Sequence, residues 1–406
     1  MPTIRTLTEK QTAALLAALI ALMPLSIDTY LPAIPQIAQN LQTDIHLIEK
    51  SLSSFMFGVA AGQLIGGSIS DVKGRRSVAL AGLAIFVVSS LALTLLQTVD
   101  QLLMLRWVQA LGAGMSAVMV GAVVRDHYEG RQAAQMFALI GIILMLAPLA
   151  APMLGSLLQS VGGWRTIFGT LTFYGTLILL LVYLFLPASG GSGGKIDRHF
   201  MSGVVQRYRH VLQTHRALGF LFLQAFSFGS MFCFLTESPF VYMHLYGLSP
   251  TAYAWIFGCN IITMATFNRV TAWRLKCGSN AEDILKWGVG LQLAANVLMV
   301  VLVLLYGLPP LWLLVLCVMC SVGTQGLIGA NTQACFMAYF RTDGGSANAL
   351  LMSTSSLMGA LMGWLATTLH DGSINVMAGT MLLSTLLGLS LLWGFSRKDL
   401  LKSLER

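Results

Sequence analysis

Residues 67–76 read GSISDVKGRR, a short polar and basic stretch that separates two long apolar windows. The windows cover residues 47–69 and 77–97. Each is close to the length of about 20 apolar residues that an α-helix needs to cross the hydrocarbon core of a bilayer. The stretch therefore predicts a tight turn between two membrane-spanning helices.

The same alternation of apolar windows and short polar turns continues along all 406 residues. Hydrophobic side chains make up 56% of the chain and charged side chains only 10%, whereas about a quarter of the residues in a soluble domain are charged. This composition excludes a soluble globule, a disordered chain, collagen and a coiled coil. It predicts an all-α polytopic membrane protein.

Twelve windows are long and apolar enough to span a bilayer, which predicts twelve transmembrane helices, six on each side of a central polar stretch. The opening sequence, MPTIRTLTEK, lacks the layout of a cleavable signal peptide, so we expect the first window to remain as a spanning helix. The windows lie at residues 12–34, 47–69, 77–97, 102–124, 133–159, 165–186, 217–241, 251–273, 284–306, 310–334, 346–368 and 373–395.

The distribution of cations predicts the orientation of these helices. If both termini are cytoplasmic, all but three of the 24 Lys and Arg residues lie in cytoplasmic segments. The exceptions are Lys50 and Arg165 in outside loops and Arg106 within a span. This asymmetry fits the positive-inside rule. The net charge of +8 is thereby explained by topology, and no nucleic-acid partner is expected.

The longest polar stretch predicts the domain organisation. We expect an N-terminal six-helix bundle at residues 1–186, a cytoplasmic linker at residues 187–216 and a C-terminal six-helix bundle at residues 217–406. The linker opens with SGGSGG, a composition typical of flexible linkers, and continues into a basic segment expected to lie as a short amphipathic helix on the anionic inner leaflet. Such paired bundles are typical of transporters with a substrate site near the bilayer midplane.

Three ionisable residues fall inside the predicted hydrocarbon regions: Asp28, Arg106 and Glu237. Because a charge in lipid is costly, these side chains should face a cavity or each other, and all three are candidates for proton coupling. Asp28 and Arg106 both fall in the outer part of the N-terminal half, where they can pair. Such a pair can switch the carboxyl group between its ionised and protonated forms. The alternative is a purely structural ion pair.

Polar and aromatic side chains near these three residues are the candidates for a substrate cavity. Glu237 shares a helical face with Ser230 and Phe234, a combination suited to a cationic or amphipathic ligand. The alternative for Glu237 is a position in the outer headgroup region. The predicted cavity set is Tyr30, Gln109, Ser230, Phe234, Glu237 and Asn260.

Prolines and glycines predict two features of helix shape. Pro148 and Pro152, followed by Gly155, remove two backbone donors from one side of the fifth span, which predicts a bend there. On the second span, glycines recur every four residues at positions 58, 62 and 66, which predicts a face for close helix packing.

Several of these stretches resemble signatures of the major facilitator superfamily. GSISDVKGRR at 67–76 is similar to the cytoplasmic loop pattern G-x-L-x-D-x-x-G-R-K/R, with Ile69 in place of Leu. RWVQALG at 106–112 resembles the fourth-helix pattern, with Ala110 in place of a glycine, and APLAAPMLG at 147–155 resembles the fifth-helix motif of antiporters. GGWRTIF at 162–168 resembles the turn into helix six.

Within that superfamily, three further stretches resemble the bicyclomycin-resistance (Bcr/CflA) type of drug and proton antiporter: PLSIDTYLPAIP at 24–35, VVRDHY at 123–128 and SPFVY at 238–242. The resemblance implies twelve helices, rocker-switch alternating access and export driven by proton entry. It also implies that Asp28 and Arg106 form the coupling pair. Glu237 departs from the small or polar residue expected there in this type.

The resemblance further implies a conformational latch on the cytoplasmic side. In it, Asp71 is expected to cap a helix N-terminus of the other half, where the helix dipole favours an anion, and Arg75 is expected to bond Asp126. The predicted latch set is Gly67, Asp71, Gly74, Arg75, Arg76, Arg125 and Asp126.

The sequence thus favours a proton-coupled exporter of small amphipathic drugs or metabolites in the bacterial inner membrane. A selective proton-coupled carrier of one nucleoside, sugar or amino acid is the alternative, and a non-transporting sensor is a remote one. The expected partners are a small-molecule substrate, protons and the bilayer. The chain is expected to be a monomer.

No enzyme is expected, because the sequence lacks an HExxH or comparable catalytic cluster. Cys317 and Cys320 form a CxxC without a second ligand pair. We therefore expect neither a cofactor nor a metal. The expected energy source is a proton gradient.

Overall fold

The computed structural model describes residues 8–128, 130–186, 206, 208–340 and 344–402. All the regular secondary structure in this part of the chain is helical. A short helical piece at residues 208–213 precedes the second half, and a 3₁₀ turn and a π-helical turn follow α1 and α8 at Leu31–Ala33 and Phe240–Leu245. The longer helices are α1 (Glu9–Asp28), α2 (Ile34–Asn40), α3 (Ile45–Lys73), α4 (Arg75–Thr94), α5 (Val99–His127), α6 (Gly130–Gly162), α7 (Trp164–Phe185), α8 (His215–Pro239), α9 (Pro250–Lys276), α10 (Ala281–Tyr306), α11 (Leu311–Gly323), α12 (Gln325–Met337), α13 (Gly344–Leu369) and α14 (Asn375–Lys402).

Eleven helical segments among the described residues are long and apolar enough to cross a membrane, and they coincide with eleven of the twelve predicted windows. The remaining window, residues 251–273, is also a helix, α9. It is not among the eleven because Asn260, Asn268 and Arg269 interrupt its apolar run. The expectation of a polytopic helical membrane protein is therefore confirmed, whereas the count of twelve spans stays a prediction.

The chain divides into two compact units. The first unit consists of Met1–Asp44 and Ser54–Val205, and the second of Ile45–Ser53 and Gln206–Arg406. Helix α3 is shared, since its N-terminal part belongs to the second unit and the rest of it to the first. Residues 187–205 of the predicted linker lie outside the described residues.

Helix starts follow local capping rules. The side chains of Thr8 and Thr98 each accept a hydrogen bond from the backbone N–H three residues ahead, at Gln11 and Gln101. The side chains of these glutamines accept in return from the backbone N–H of the cap residue. Both helix starts are therefore complete capping boxes. Between α3 and α4, Gly74 adopts φ +88°, a left-handed conformation that favours glycine. The tight turn predicted from GSISDVKGRR is therefore present.

Glycines allow the helices of the first unit to approach closely. A Cβ on Gly58, Gly62 or Gly66 of α3 would collide with the backbone of α5, so the predicted packing face is real. On the other side of α5, Gly112 faces Gly82 of α4, where a Cβ would collide with the Gly82 carbonyl oxygen. Such contacts let two backbones pack without intervening side chains.

Gly112→Ala is expected to destabilise the first unit by about 1 to 3 kcal/mol, because the added methyl group meets backbone atoms that cannot rotate away. A Cβ there would also lie 2.7 Å from the Phe86 nitrogen. Gly169→Ala in α7 is the matched control, because nothing lies within 4 Å of its Cβ position. Thermal unfolding in detergent measures both variants, and equal midpoints would contradict the packing account.

The second unit packs around α8, which contacts α12, α13 and α14. A buried polar network ties this unit together: the Asn296 amide of α10 donates to the Thr385 hydroxyl at 2.8 Å and to the Met381 carbonyl at 3.3 Å. Ser230 of α8 donates to the same Met381 carbonyl at 3.0 Å. These bonds satisfy polar groups that lipid cannot hydrate.

Candidate functional site

The first part of the candidate site lies where α1 ends. Asp28 is the last residue of this helix and is only 5% exposed. The helix stops because the chain turns at Thr29, whose hydroxyl donates to the Leu25 carbonyl at 2.6 Å, and enters the 3₁₀ turn that contains Pro32. A buried carboxyl group is therefore held at the C-terminal end of a helix.

Arg106 of α5 is fully buried beside this helix end. Its Nη1 donates to the Ser26 carbonyl at 3.0 Å and to Gln109 Oε1 at 2.8 Å. The guanidinium carbon lies 4.7 Å from the centre of the Tyr30 ring and 4.3 Å from that of Phe55. Two aromatic faces and a helix C-terminus, which carries partial negative charge, thus stabilise the cation.

The predicted ion pair between Asp28 and Arg106 is not formed in the described structure. Arg106 instead uses the Ser26 carbonyl, one of the acceptors left unpaired where α1 ends. Nε and Nη2 of Arg106 are buried and have no hydrogen-bond partner. The two residues are therefore brought to the same region of one unit, with half of the guanidinium left available to an acceptor.

Gln109 extends the polar region away from α1. Its amide nitrogen donates to the Ser90 hydroxyl of α4 at 2.8 Å, while its oxygen accepts from Arg106. Arg106, Gln109 and Ser90 form a fully buried chain of hydrogen bonds. This chain fixes one edge of the guanidinium and explains why the polar residue one turn after Arg106 matters.

Helix α6 approaches the same helix end. A Cβ on Gly155 would collide with the Thr29 carbonyl, so only glycine allows this contact next to Asp28. Pro148 and Pro152 lie inside the continuous helix Gly130–Gly162. The predicted bend at these prolines stays a prediction.

The predicted cavity residues of the second unit are all buried. Ser230 is committed to the polar network, and Phe234 packs on Tyr242 and Phe257 with ring centres 6.2 and 6.4 Å apart. In contrast, neither the amide nitrogen nor the oxygen of Asn260 in α9 has a hydrogen-bond partner. Among the polar cavity candidates, Asn260 is therefore the one whose side-chain nitrogen and oxygen are both without a partner.

Glu237 is fully buried inside the protein near the end of α8. Its depth in the membrane, in the hydrocarbon or at the outer headgroups, stays a prediction. Its Oε2 lies 3.0 Å from Nδ1 of His370, which follows α13. The neighbouring Asp371 turns instead to Ser373, and hydrogen bonds from the Ser373 side chain hold the pKa of that carboxyl below its usual range.

His370 and its neighbour His46, whose rings stack with centres 3.2 Å apart, were not among the residues predicted from the sequence. His46 is partnered by Glu49, one helical turn along α3, with 2.8 Å between Nδ1 and Oε2. The spacing of His46 and Glu49 was a local signal for a pair. Nothing in the sequence indicated that this pair meets Glu237.

The predicted latch residues lie at the other end of α3 and α5. Arg75 Nε donates to Asp126 Oδ2 at 3.2 Å, as expected from the resemblance. Arg76 donates to the Tyr183 carbonyl and lies over the ring of Tyr183. Gly67 accepts a hydrogen bond from Ser70. The side chains of Asp71 and Arg125 lie outside the described part of the structure.

Comparison with known proteins decides the family. A sequence profile described as the Major Facilitator Superfamily matches residues 15–363. The chain belongs to this superfamily. It is therefore a membrane transporter of small molecules, as the loop and helix signatures predicted, and is not an enzyme.

Relatives with assigned names are consistent with this membership. The chain is 28% identical over 367 residues to the bicyclomycin resistance protein homolog of Haemophilus influenzae, covering 90% of this chain and 91% of the relative. It is 28% identical over 391 residues to the multidrug resistance protein MdtL of Shigella flexneri, covering 92% and 93%. Among solved structures, a D-xylose–proton symporter superposes with a TM-score of 0.72 at 14% identity, covering 94% of this chain and 97% of that one. The last likeness concerns the fold alone.

Proposed function

We propose that this transporter exports small amphipathic drugs or metabolites across the bacterial inner membrane in exchange for protons, by alternating access. The observation that supports this most directly is the buried carboxyl group of Asp28 next to a buried guanidinium that it does not contact. Two relatives of similar length that are named as resistance proteins support drug-like substrates.

The proposed coupling uses two alternative environments for Asp28. Away from a cation, a buried carboxyl group is stable as the neutral acid, since an isolated buried charge is costly. Contact with Nε and Nη2 of Arg106 would stabilise the carboxylate and release the proton. Substrate binding and proton binding then exclude each other if the substrate requires the ionised form of Asp28, as a basic group that pairs with this carboxylate would.

The side chains around Arg106 fix the direction from which an acceptor can reach its guanidinium group. Phe55 and Tyr30 hold the guanidinium plane, and Gln109 holds one edge. A fixed plane with two open donors favours a carboxylate or carbonyl acceptor approaching from one direction. Tyr30 and Gln109 therefore keep their assignment to the substrate region, and Asn260 with its unused amide is the corresponding candidate in the second unit.

The remaining features of the proposal follow from the sequence. Helix α9 is assigned as a span as well, which brings the total to twelve, because its 27 residues exceed the about 20 needed to cross a bilayer. Both termini are assigned to the cytoplasm on the positive-inside rule, and the chain is assigned as a monomer. The Arg75–Asp126 pair supports a latch on that side.

Transport by purified protein in proteoliposomes tests the proposal. We expect a pH gradient to drive uphill movement of more than one of a cationic, a neutral and a zwitterionic compound, with the movement abolished by a protonophore. Uphill movement of one compound alone would favour the selective carrier instead. Movement that ignores the pH gradient would contradict proton coupling.

A further inference from the structure

Four ionisable side chains cluster in the second unit where α8 ends: His46 and Glu49 of α3, Glu237 of α8 and His370 after α13. The carboxylates of Glu49 and Glu237 are fully buried, and the imidazole side chains of His46 and His370 are 15% and 6% exposed. Ionisable clusters in membrane proteins are costly to assemble, so we expect this one to have a function.

Each imidazole ring is oriented in the same way by a carboxylate. His46 Nδ1 lies 2.8 Å from Glu49, and His370 Nδ1 lies 3.0 Å from Glu237. Because a carboxylate accepts, each Nδ1 donates, and the neutral ring then carries its lone pair on Nε2. A carboxylate that accepts from Nδ1 in this way orients a metal-binding histidine in known sites, and this is the role that Glu49 has toward His46.

Two acceptors in the cluster have no donor. Nε2 of His370 and Oε1 of Glu237 are buried without a hydrogen-bond partner. A buried lone pair left unpaired is costly. An imidazole nitrogen and a carboxylate oxygen left unpaired in one cluster are suited to a cation that accepts lone pairs.

We propose that His46, His370 and Glu237 bind one transition-metal ion of the Zn²⁺ type, with Glu49 as a positioning residue. Two imidazoles and one carboxylate are a donor set that Zn²⁺ uses, whereas Ca²⁺ and Mg²⁺ prefer oxygen ligands alone. One donor atom from each of the three residues lies within 4.8 Å of the others. A tetrahedral site with bonds of about 2.1 Å has ligand separations of about 3.4 Å. The site forms when the stacked rings rotate and Glu237 exchanges its hydrogen bond with His370 Nδ1 for a bond to the ion.

The surroundings of the cluster favour tight binding. Phe240 packs edge-on against both rings, with centres 4.9 Å from His46 and 4.5 Å from His370. An apolar shell lowers the local dielectric and strengthens the attraction between the ion and its ligands. A bound ion would link the N-terminal part of α3 to α8 and to the segment that follows α13.

Titration of the purified, tag-free chain with Co²⁺, used as a spectroscopic substitute for Zn²⁺, tests the site without reference to transport. We expect one Co²⁺ per chain, displaced by Zn²⁺, with a visible absorption band from nitrogen and oxygen ligation. His370→Gln, His46→Gln and Glu237→Gln should lose saturable binding. Glu49→Gln should raise the dissociation constant about 10- to 100-fold, as expected for a residue that orients a ligand.

His244→Gln is the matched control, because His244 also packs on Phe240, with ring centres 5.0 Å apart, but lies outside the ligand group. It should bind Co²⁺ as the wild type does. Thermal unfolding without metal identifies any variant that fails to fold. Only the ligand variants that fold are then compared with the wild type for Co²⁺ binding. Absence of saturable binding by the wild type, or equal binding by wild type and His370→Gln, would overturn the proposal.

Discussion

Asp28→Asn is expected to abolish uphill transport driven by a pH gradient while the protein remains folded. The amide has nearly the shape of the neutral acid and fits the same buried position at the end of α1, but it cannot bind and release a proton. We expect downhill movement of substrate to persist, since that movement does not require a proton cycle. Uphill and downhill fluxes in the same proteoliposomes measure the difference.

Asp100→Asn is the matched control for this substitution. Asp100 lies in the first turn of α5 and is exposed, so its removal changes the net charge equally without touching the buried site. The control should keep uphill transport at the wild-type level. Normal uphill transport by Asp28→Asn would remove Asp28 from the coupling mechanism.

Arg106→Lys is expected to lower the rate of transport about 10- to 100-fold, although the charge is kept. A lysine ammonium can replace Nη1, which donates to both Ser26 and Gln109. It lacks the plane that lies over the Phe55 and Tyr30 rings, and it lacks the further donors Nε and Nη2 that are proposed to meet Asp28. Hydrogen bonds that involve a charged group contribute about 1.5 to 3 kcal/mol each, which corresponds to this range. Initial rates of substrate uptake into vesicles give the measurement.

Arg165→Lys is the control for Arg106→Lys. Arg165 also stacks on an aromatic ring, 4.1 Å from the centre of Trp164, and also donates to a backbone carbonyl, that of Leu96. It lies at the start of α7 and is exposed, whereas Arg106 is fully buried. If both substitutions slow transport equally, the effect belongs to arginine stacking in general and the assignment of Arg106 is wrong.

Composition and hydropathy predicted the helices because a long apolar window has few stable alternatives in a membrane. The exception is α9, whose polar residues weaken the signal that its neighbours give strongly. The glycine contacts of α3 with α5 were also predictable, since spacing by four residues places small side chains on one helical face.

The geometry of the site was less accessible to sequence analysis. The pairing of Asp28 with Arg106 was inferred from opposite charges, but charge alone does not reveal that the end of α1 leaves the Ser26 carbonyl as a competing acceptor. The cluster at Glu237 depends on His370, which is 133 residues away along the chain. No local pattern encodes a contact of that separation.

Substrate-elicited proton flux tests the central claim most directly. Vesicles containing the transporter, a trapped pH indicator and no imposed gradient receive a transported compound on one side only. We expect the downhill movement of this compound to drive proton movement in the opposite direction, and Asp28→Asn vesicles to move the compound without moving protons. Substrate movement by the wild type with no accompanying proton flux would contradict proton-coupled exchange.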